Sequence, residues 1–243
     1  MNTTVEVAGR ALTFPIEVRE ASSWAAQFVV PTNAARAIIA PTELEPAEHI
    51  PGRTMATIVF VHYEDSDLDT YDEVGIAFVV RAHDAPPVNP LTKTLEFARQ
   101  QLCVYIHHLP VNQAFTLEAG RALWGYPKFM ADIRIDEHPG RTTCSLRADD
   151  QMILGLTVRD AGPIPLPART FPTYTFLAGT LRKAAWEMPN THVRARIGGA
   201  RLVLGTHPIA DELRGLGLPK RALMTQVIPR MRARFGPAEV IEA

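Results

Sequence analysis

The segment Thr57-Ile-Val-Phe-Val-His62 is a short run of β-branched and aromatic residues, which is the usual composition of a β-strand. A second run of this kind, Gly75-Ile-Ala-Phe-Val-Val-Arg81, follows after an acidic stretch at 66–72. Acidic residues in a connection remain in water, so the two runs predict two strands on either side of a solvated loop.

The rest of the chain is divided in the same way. Twenty prolines and fifteen glycines separate its 243 residues into short segments, many of which alternate in polarity or are rich in β-branched residues. This pattern favours a mainly β (α+β) fold built on antiparallel strands. Further strands are predicted at residues 129–135, 142–146 and 152–158.

The pair Gly198-Gly199 separates two more strand-like runs, residues 193–197 and 201–204. Consecutive glycines take the positive φ angles that a two-residue hairpin turn requires. The sequence therefore predicts a tight β-hairpin centred on this pair.

A few helices are predicted by the residues at their ends. A polar capping side chain, or a proline at the first helical position, indicates a start, and glycine indicates a stop. The predicted helices are 34–40 after Pro31-Thr-Asn33, 91–99 after Asn89-Pro90, 112–124 between the cap Asn112 and the stop Gly125, and 208–213 between His207 and Gly215.

The composition is that of an ordinary globular protein, with 47% hydrophobic residues and a formal net charge of −1. We expect residues 1–243 to form a single domain. The balanced charge argues against nucleic acid or an anionic membrane as a partner. There is no apolar run of about 18 residues and no signal-peptide pattern, so we expect a cytoplasmic protein.

Cysteine and histidine give no sign of a metal site in the sequence. Cys103 and Cys144 have no CxxC spacing and are predicted to be buried free thiols. His107 and His108 are adjacent, and successive side chains of a regular strand point to opposite faces. We therefore expect that the two histidines cannot bind one metal ion, and no metal is predicted.

The segment Gly125-Tyr-Pro-Lys128 places a lysine directly after a turn, among apolar neighbours. Burial disfavours the ammonium form of lysine, and a neutral amine can attack a ketone. Lys128 is therefore a candidate nucleophile, with Trp124, Tyr126, Phe129 and Met130 as candidate substrate-binding residues. A surface lysine on a turn is the alternative.

This lysine lies in a longer stretch, Glu118-Ala-Gly-Arg121-Ala-Leu-Trp-Gly125-Tyr-Pro-Lys128, which resembles the active-site segment of the acetoacetate decarboxylase superfamily. Tyr71-Asp-Glu73-Val-Gly75 is similar to a strand of that family that carries a cavity carboxylate. The tail Arg201-Leu-Val-Leu-Gly-Thr-His-Pro208 is similar to its final strand and turn. The resemblance extends from about Thr32 onward.

The resemblance implies an antiparallel β-cone or barrel with a few peripheral helices, and a homo-oligomer. It implies that Lys128 forms an imine with a keto acid, that Glu73 orients the substrate or shuttles a proton, and that Arg121 holds the Lys128 loop from behind. No cofactor is implied. The family is itself the usual example of a lysine nucleophile activated by desolvation or by an adjacent cation. The helix at 91–99 looks like an insertion, either a plain surface feature or a cover over a cavity.

The sequence also departs from the family pattern. Phe129 stands where the decarboxylases have a second lysine, so activation of Lys128 must come from apolar burial. The family's substrate-carboxylate arginine falls near Ser22, and Arg19 is the nearest replacement; a second family glutamate falls near Thr57. Regular alternation after Pro127 would put Lys128 on one face with Met130, Asp132 and Arg134.

These observations predict a lyase-type enzyme that acts on a keto acid or related carbonyl compound through a Lys128 imine, with decarboxylation as the leading reaction. The departures keep an aldolase-dehydratase or cyclase activity open. A different class also stays open, in which the protein binds a hydrophobic small molecule or shapes its cyclisation without covalent chemistry.

Overall fold

The computed structural model describes residues 3–85, 103–160, 162–167, 171–189 and 192–241, and most of them lie in strands. The α-helices in these ranges are α1 (Thr32–Ile39), α2 (Ala114–Trp124) and α3 (Pro208–Gly215), and a short 3-10 helix (Ala40–Thr42) follows α1. The strands are β1 (Thr4–Val7), β2 (Arg10–Thr13), β3 (Ile16–Pro31), β4 (Arg53–Ser66), β5 (Tyr71–Val80), β6 (Cys103–His108), β7 (Asp132–His138), β8 (Arg141–Ala148), β9 (Gln151–Arg159), β10 (Ile164–Pro167), β11 (Phe171–Leu177), β12 (Thr180–Glu187), β13 (His192–Ile197), β14 (Ala200–Leu204), β15 (Met224–Phe235) and β16 (Glu239–Val240).

The main sheet has ten strands in the order β10-β13-β15-β3-β4-β5-β6-β11-β12-β16. Strand β12 also pairs with β15, so hydrogen bonds close a ring that runs from β15 through β3, β4, β5, β6, β11 and β12. Neighbouring strands are antiparallel, except that β11 runs parallel to β6. The prediction of a mainly antiparallel β fold is confirmed.

A second sheet has four antiparallel strands in the order β14-β9-β8-β7. Its buried side chains, among them Ile133, Cys144 and Leu156, join those of the main sheet in one hydrophobic cluster. Both cysteines are buried and neither is in a disulfide, as predicted. Each large aliphatic side chain buried in this cluster contributes about 1.5–3 kcal/mol, so the cluster holds the two sheets together.

Strand β4 shows how the sequence builds two cores from one strand. Ile58 and Phe60 lie in the first cluster, whereas Val61 and Tyr63 lie in a second cluster. Successive side chains of a strand point to opposite faces, so an apolar strand of this kind buries both. The second cluster, which includes Trp124 at the end of α2, surrounds the candidate active site.

The two strands predicted from the opening segment are confirmed. They lie within β4 and β5 and pair antiparallel, with Ile58 opposite Ile76. The acidic connection is short, because β4 continues to Ser66 and β5 begins at Tyr71. The predicted helix at 91–99 and its cap Asn89 lie outside the described residues.

The predicted hairpin at Gly198-Gly199 is wrong. Both glycines do have positive φ angles, 67° and 87°. However, β13 pairs with β10 and β15 in the main sheet, and β14 pairs with β9 in the second sheet. The two glycines therefore carry the chain from the main sheet to the second sheet.

Helix α2 differs from the prediction at its start. The cap is Gln113, whose side chain accepts a hydrogen bond from the backbone N–H of Thr116 at 2.6 Å. Asn112 instead accepts from the N–H of Asp72, so its side chain ties the helix start to β5. The predicted stop is confirmed, because Gly125 has a φ of 63° and its N–H returns to the carbonyl of Arg121.

Helix α3 begins as predicted at His207-Pro208, with the imidazole of His207 accepting from the N–H of Ile209. None of the helices formed by the described residues has the length and apolarity that crossing a bilayer requires.

Candidate active site

Lys128 lies on an irregular segment between α2 and β7, and only 2% of it is exposed. The backbone of this segment is held on several sides. The N–H of Lys128 donates to the carbonyl of Tyr126 at 2.8 Å, and the N–H of Leu109 donates to the carbonyl of Pro127 at 3.3 Å. Arg121 donates from Nε to the carbonyl of Lys128 at 2.9 Å. Arg121 thus contacts the loop rather than the amine.

Gly120 makes room for the lysine side chain on the surface of α2. A Cβ atom at this position would lie 2.6 Å from Cδ and 2.7 Å from Cε of Lys128, which is closer than carbon atoms approach. A glycine inside a helix costs about 0.5–1 kcal/mol relative to alanine. The glycine of the Gly-Arg pair is therefore required by the close approach of the lysine stem to the helix.

The amine at the end of this stem has two polar partners. Nζ lies 2.9 Å from Oε2 of Glu73 and donates to Oγ1 of Thr116 at 2.9 Å. The other carboxylate oxygen of Glu73 accepts from the hydroxyl of Tyr63 at 3.1 Å. Glu73 lies on β5 and is only 3% exposed. The fold therefore gives the amine a carboxylate partner that the neighbouring sequence does not show.

Two aromatic rings also lie near the amine. The ring centre of Tyr71 lies 5.2 Å from Nζ and that of Tyr126 lies 5.9 Å away. Tyr63 stacks on Tyr71 with 4.3 Å between ring centres. Burial, helped by the charge of Glu73, raises the pKa of Tyr63 and of Tyr71 well above the usual range. Both phenols therefore stay neutral hydrogen-bonding groups near neutral pH.

Two buried opposite charges in contact form a proton-transfer pair. Moving one proton from Nζ to Oε2 converts an ammonium and a carboxylate into a neutral amine and a carboxylic acid. The transfer needs no other group, because Nζ and Oε2 are within hydrogen-bond distance of each other. The arrangement can supply an amine nucleophile and an acid at the same position.

Trp124 and Tyr126 pack beside this pair. Trp124 is buried, stacks on Tyr126 at 5.5 Å between ring centres, and donates from Nε1 to the carbonyl of Gly236 at 2.7 Å. The hydroxyl of Tyr126 accepts from Nε1 of Trp186 at 2.8 Å. Tyr126 thus presents its ring to the amine, and Trp124 supports Tyr126 from behind.

Phe129 and Met130 have other surroundings than Tyr126, which lies in the second cluster. Phe129 is half-buried against the first cluster, and Met130 is 49% exposed. The expectation that Lys128, Met130 and Asp132 share one face is wrong, because regular strand β7 begins only at Asp132. Asp132 and Arg134 form a surface ion pair at 3.5 Å.

Arg19 lies among surface carboxylates rather than beside the amine. Its guanidinium contacts Asp65 at 2.7 Å and Asp67 at 2.6 Å, and its side chain is 47% exposed. It borders an open concavity of about 550 Å³ whose other walls include Arg232 and Arg234. The structure therefore brings Glu73 and Tyr126 to Lys128, and it does not bring Arg19 there.

The prediction that adjacent histidines point to opposite faces is also wrong. Nε2 of His107 and Nε2 of His108 lie 3.0 Å and 3.2 Å from the same oxygen, Oε1 of Glu212. Within the described residues, these three side chains bring together enough nitrogen and oxygen donors to hold a metal ion. They are distinct from the Lys128 pair.

Sequence reasoning did not find Tyr63, Thr116 or the role of Gly120. Thr116 lies four residues before Gly120, so the two share a helix face, and this spacing was the available signal. Tyr63 reaches Glu73 from the next strand, where Val61 is opposite Glu73 in the β4–β5 pairing. A contact between neighbouring strands of this kind has no spacing signal in the sequence.

Comparison with solved structures identifies proteins of similar fold. An acetoacetate decarboxylase structure has a TM-score of 0.69 at 19% identity, covering 93% of this chain and 89% of that one. Acetoacetate decarboxylase from Legionella pneumophila has a TM-score of 0.71 at 17% identity, covering 94% and 87%. The enduracididine biosynthesis enzyme MppR, complexed with pyruvate, has a TM-score of 0.65 at 16% identity, covering 95% and 92%.

The comparison with curated protein sequences gives no match. At the level of families, the acetoacetate decarboxylase model matches residues 9–234, which is nearly the whole chain and includes both Glu73 and Lys128. The chain belongs to the acetoacetate decarboxylase family.

Proposed function

We propose that the protein is a lyase-type enzyme that forms an imine between Lys128 and a small keto acid or related carbonyl compound, with decarboxylation as the leading reaction. The observation that carries the proposal is the buried amine of Lys128, 2.9 Å from the carboxylate of Glu73. Aromatic rings and neutral hydroxyls lie near the amine. Such surroundings suit a reaction in which protons and electrons pass between the bound groups without help from water.

The first half of the reaction makes the electron sink. Glu73 takes a proton from Nζ, and the amine lone pair then attacks the carbonyl carbon of the substrate. Glu73 returns the proton to the oxygen of the adduct, and that oxygen leaves as water with one further proton from nitrogen. The product is a protonated imine that carries a positive charge next to the bond to be broken.

The second half breaks that bond. For a β-keto acid, the electron pair of the bond to the carboxylate moves into the imine, carbon dioxide leaves, and a neutral enamine remains. A proton then adds to the enamine carbon, and water hydrolyses the resulting imine to release the ketone and free Lys128. Glu73 is a carboxylate at this stage, so it takes up one proton from solvent and, hydrogen-bonded to the hydroxyl of Tyr63 at 3.1 Å, is placed to deliver it.

Phe129 at the position of the family's second lysine changes how Lys128 is activated. No second ammonium repels the proton of Lys128 from that position. We propose that Glu73 replaces the second lysine as the activating group by accepting the proton of Lys128, while Tyr71 and Tyr126 exclude water. The activation then depends on the pair rather than on burial alone.

A condensation reaction is the second candidate. One structural neighbour at 16% identity is MppR complexed with the condensation product of pyruvate and imidazole 4-carboxaldehyde. The same imine supports such chemistry, because loss of a proton from the adjacent carbon gives an enamine that adds to an aldehyde. Non-covalent binding of a hydrophobic small molecule remains the candidate from a different class.

Borohydride trapping tests the imine directly. The protein is incubated with acetoacetate, pyruvate or 2,4-pentanedione, reduced, and read by intact mass and peptide mapping. We expect an adduct on Lys128 that Lys128→Ala abolishes and that the matched variant Lys183→Ala retains. The absence of an adduct with every carbonyl compound would exclude the imine and favour non-covalent binding.

The role of Glu73 has a separate readout. General acid–base groups contribute about 10²–10⁴-fold, so Glu73→Gln is expected to slow adduct formation by at least that lower factor. Asp72→Asn changes the neighbouring carboxylate, which pairs with His62 at 2.6 Å, and is the matched control. Carbon dioxide release from acetoacetate, followed in parallel, distinguishes decarboxylation from condensation.

The family resemblance further supports the proposal that residues 1–243 form one domain that self-associates. Light scattering coupled to size-exclusion chromatography measures that association.

A further inference from the structure

His107, His108 and Glu212 come together where the end of β6 meets α3. The side chains are 16%, 20% and 28% exposed, so the cluster is largely shielded and yet reachable from solvent. Glu212 lies in the middle of α3, and the two histidines end β6. The imine chemistry proposed above uses none of them.

A β-bulge explains why two adjacent histidines point the same way. In the pairing of β5 with β6, Ile76 is opposite His108 and Ala77 is opposite Ile106, so His107 is an extra residue. A bulge breaks the alternation of side chains and re-aims one of them. The rings of His107 and His108 consequently lie 4.1 Å apart, centre to centre, on one side of the strand.

The spacing of the three donor atoms matches that of ligands around one ion. Bonds of about 2.0–2.1 Å from a tetrahedral Zn²⁺ place neighbouring ligand atoms roughly 3.3 Å apart. Here Nε2 of His107 and Nε2 of His108 lie 3.0 Å and 3.2 Å from Oε1 of Glu212. All three donor atoms lie within 4.8 Å of one another, so small side-chain shifts would admit an ion.

The donor set is chemically suited to a transition metal. Two imidazole nitrogens and one carboxylate oxygen form the ligand set of several three-ligand zinc sites, and imidazole also binds copper, iron and nickel. Ca²⁺ and Mg²⁺ prefer oxygen ligands and fit this set poorly.

The side chains around the cluster hold the imidazole rings in place. Phe78 and Tyr105 lie beside His107, with ring centres 5.9 Å and 6.0 Å away. Phe129 meets His108 edge-on at 6.4 Å. The Nδ1 atom of His207 caps α3, and its Nε2 atom lies 3.6 Å from Oδ2 of Asp149. The site therefore offers three protein ligands rather than four.

We propose that His107, His108 and Glu212 bind one transition-metal ion of the Zn²⁺ class, with at least one coordination position open to water. Such an ion replaces the two hydrogen bonds to Glu212 and links α3 to β6 through bonds. Neither Lys128 nor Glu73 is one of the proposed ligands, so binding of the ion and formation of the imine can be measured separately.

Metal titration tests the proposal. The untagged protein is stripped with a chelator and titrated with Zn²⁺ by calorimetry. We expect one equivalent to bind, and we expect Glu212→Gln and His108→Ala each to weaken binding by at least tenfold. Asp211→Asn, which changes the adjacent carboxylate of the same helix, and His138→Gln, which changes a histidine at the exposed end of β7, should bind Zn²⁺ as the parent does.

Cobalt provides a readout that does not depend on stability. Co²⁺ in the same site should give visible absorption bands typical of four- or five-coordinate nitrogen and oxygen ligation, and these bands should vanish in Glu212→Gln. Thermal unfolding of each variant shows whether the loss of binding accompanies loss of the fold. The proposal is overturned if the parent shows no saturable binding of either ion, or if folded Glu212→Gln and His108→Ala bind as tightly as the parent.

Discussion

The Lys128–Glu73 pair and the pairs that Arg19 makes with Asp65 and Asp67 have similar lengths and opposite environments. The nitrogen–oxygen distance is 2.9 Å in the first, and 2.7 Å and 2.6 Å in the others. The side chains of Lys128 and Glu73 are almost inaccessible, whereas about half of Arg19 remains in water. The contacts are alike in length, so the two regions differ in burial and in the kind of cation, an ammonium in one and a guanidinium in the other.

The physical difference between the two regions is large. An exposed ion pair contributes about 0–1 kcal/mol, because water already solvates both partners. Removing one partner of a buried pair costs about 3–5 kcal/mol, since the remaining charge has no solvent. The tertiary position of a pair, more than its geometry, therefore decides whether it can do chemistry.

The largest effect is expected from breaking the buried pair. Lys128→Met leaves the carboxylate of Glu73 with Tyr63 and no cation, so the free energy of unfolding should fall by about 3–5 kcal/mol. Urea unfolding at neutral pH measures it. The double variant Lys128→Met/Glu73→Leu removes both charges and should recover most of the loss. A double variant no more stable than the single one would contradict the assignment of a buried ion pair.

A smaller loss is expected where the lysine stem touches α2. Gly120→Ala adds a Cβ atom 2.6 Å from Cδ of Lys128, so the side chain must move and stability should fall by about 1–3 kcal/mol. Borohydride trapping should slow in the same variant.

Gly215→Ala is the matched control for Gly120→Ala, because nothing lies within 4 Å of the added Cβ atom in α3. It should leave stability unchanged or raise it by about 0.4–1 kcal/mol. If the two alanine variants behaved alike, the close approach of Lys128 to the helix would not be the reason for Gly120.

A still smaller effect on stability is expected from breaking the exposed ion pairs of Arg19. Arg19→Ala exposes Asp65 and Asp67 to water that already reaches them, so the free energy of unfolding should change by less than about 1 kcal/mol. Urea unfolding measures this change as well. A loss comparable to that of Lys128→Met would show that environment does not separate the two regions.

The smallest effect is a shift in one titration. The hydrogen bond from Arg19 lowers the pKa of Asp65 below its ordinary value of 3.8. The stabilisation from this bond is thus present above about pH 3.8 and is lost as the pH falls through the lowered pKa. In Arg19→Ala, carboxyl NMR titration should find the Asp65 pKa back near 3.8. An unchanged pKa would mean that Arg19 does not hold this carboxylate in solution.

The sequence allowed the fold class and the Lys128 loop to be predicted, because both depend on local signals. Alternating and β-branched runs predicted β4 and β5, and Gly125 ended α2 by the φ angle that glycine permits. The prediction of a hairpin at Gly198-Gly199 was wrong because it also used only local signals. Glycines mark a turn correctly, but the partners of the flanking strands are selected by distant parts of the chain.

The prediction that His107 and His108 point to opposite faces was wrong because of one extra residue in β6. Alternation is a property of regular strands, and the extra residue at His107 removes it. No composition signal marks this bulge, since it depends on how β6 meets β5. The nitrogen and oxygen donors of the proposed metal site were thus visible in the sequence, while their common direction was not.

The sequence by itself determined a chain of mainly antiparallel strands, a glycine-bounded loop with Lys128 after the proline, and the family to which these residues belong. Only the tertiary structure decided that Glu73 and Thr116 contact the amine, that Tyr63 supports the carboxylate, and that Arg19 lies among surface acids. The reason is that local backbone preferences are set by neighbouring residues, whereas burial and pairing of charge are set by strands that meet across the sheet.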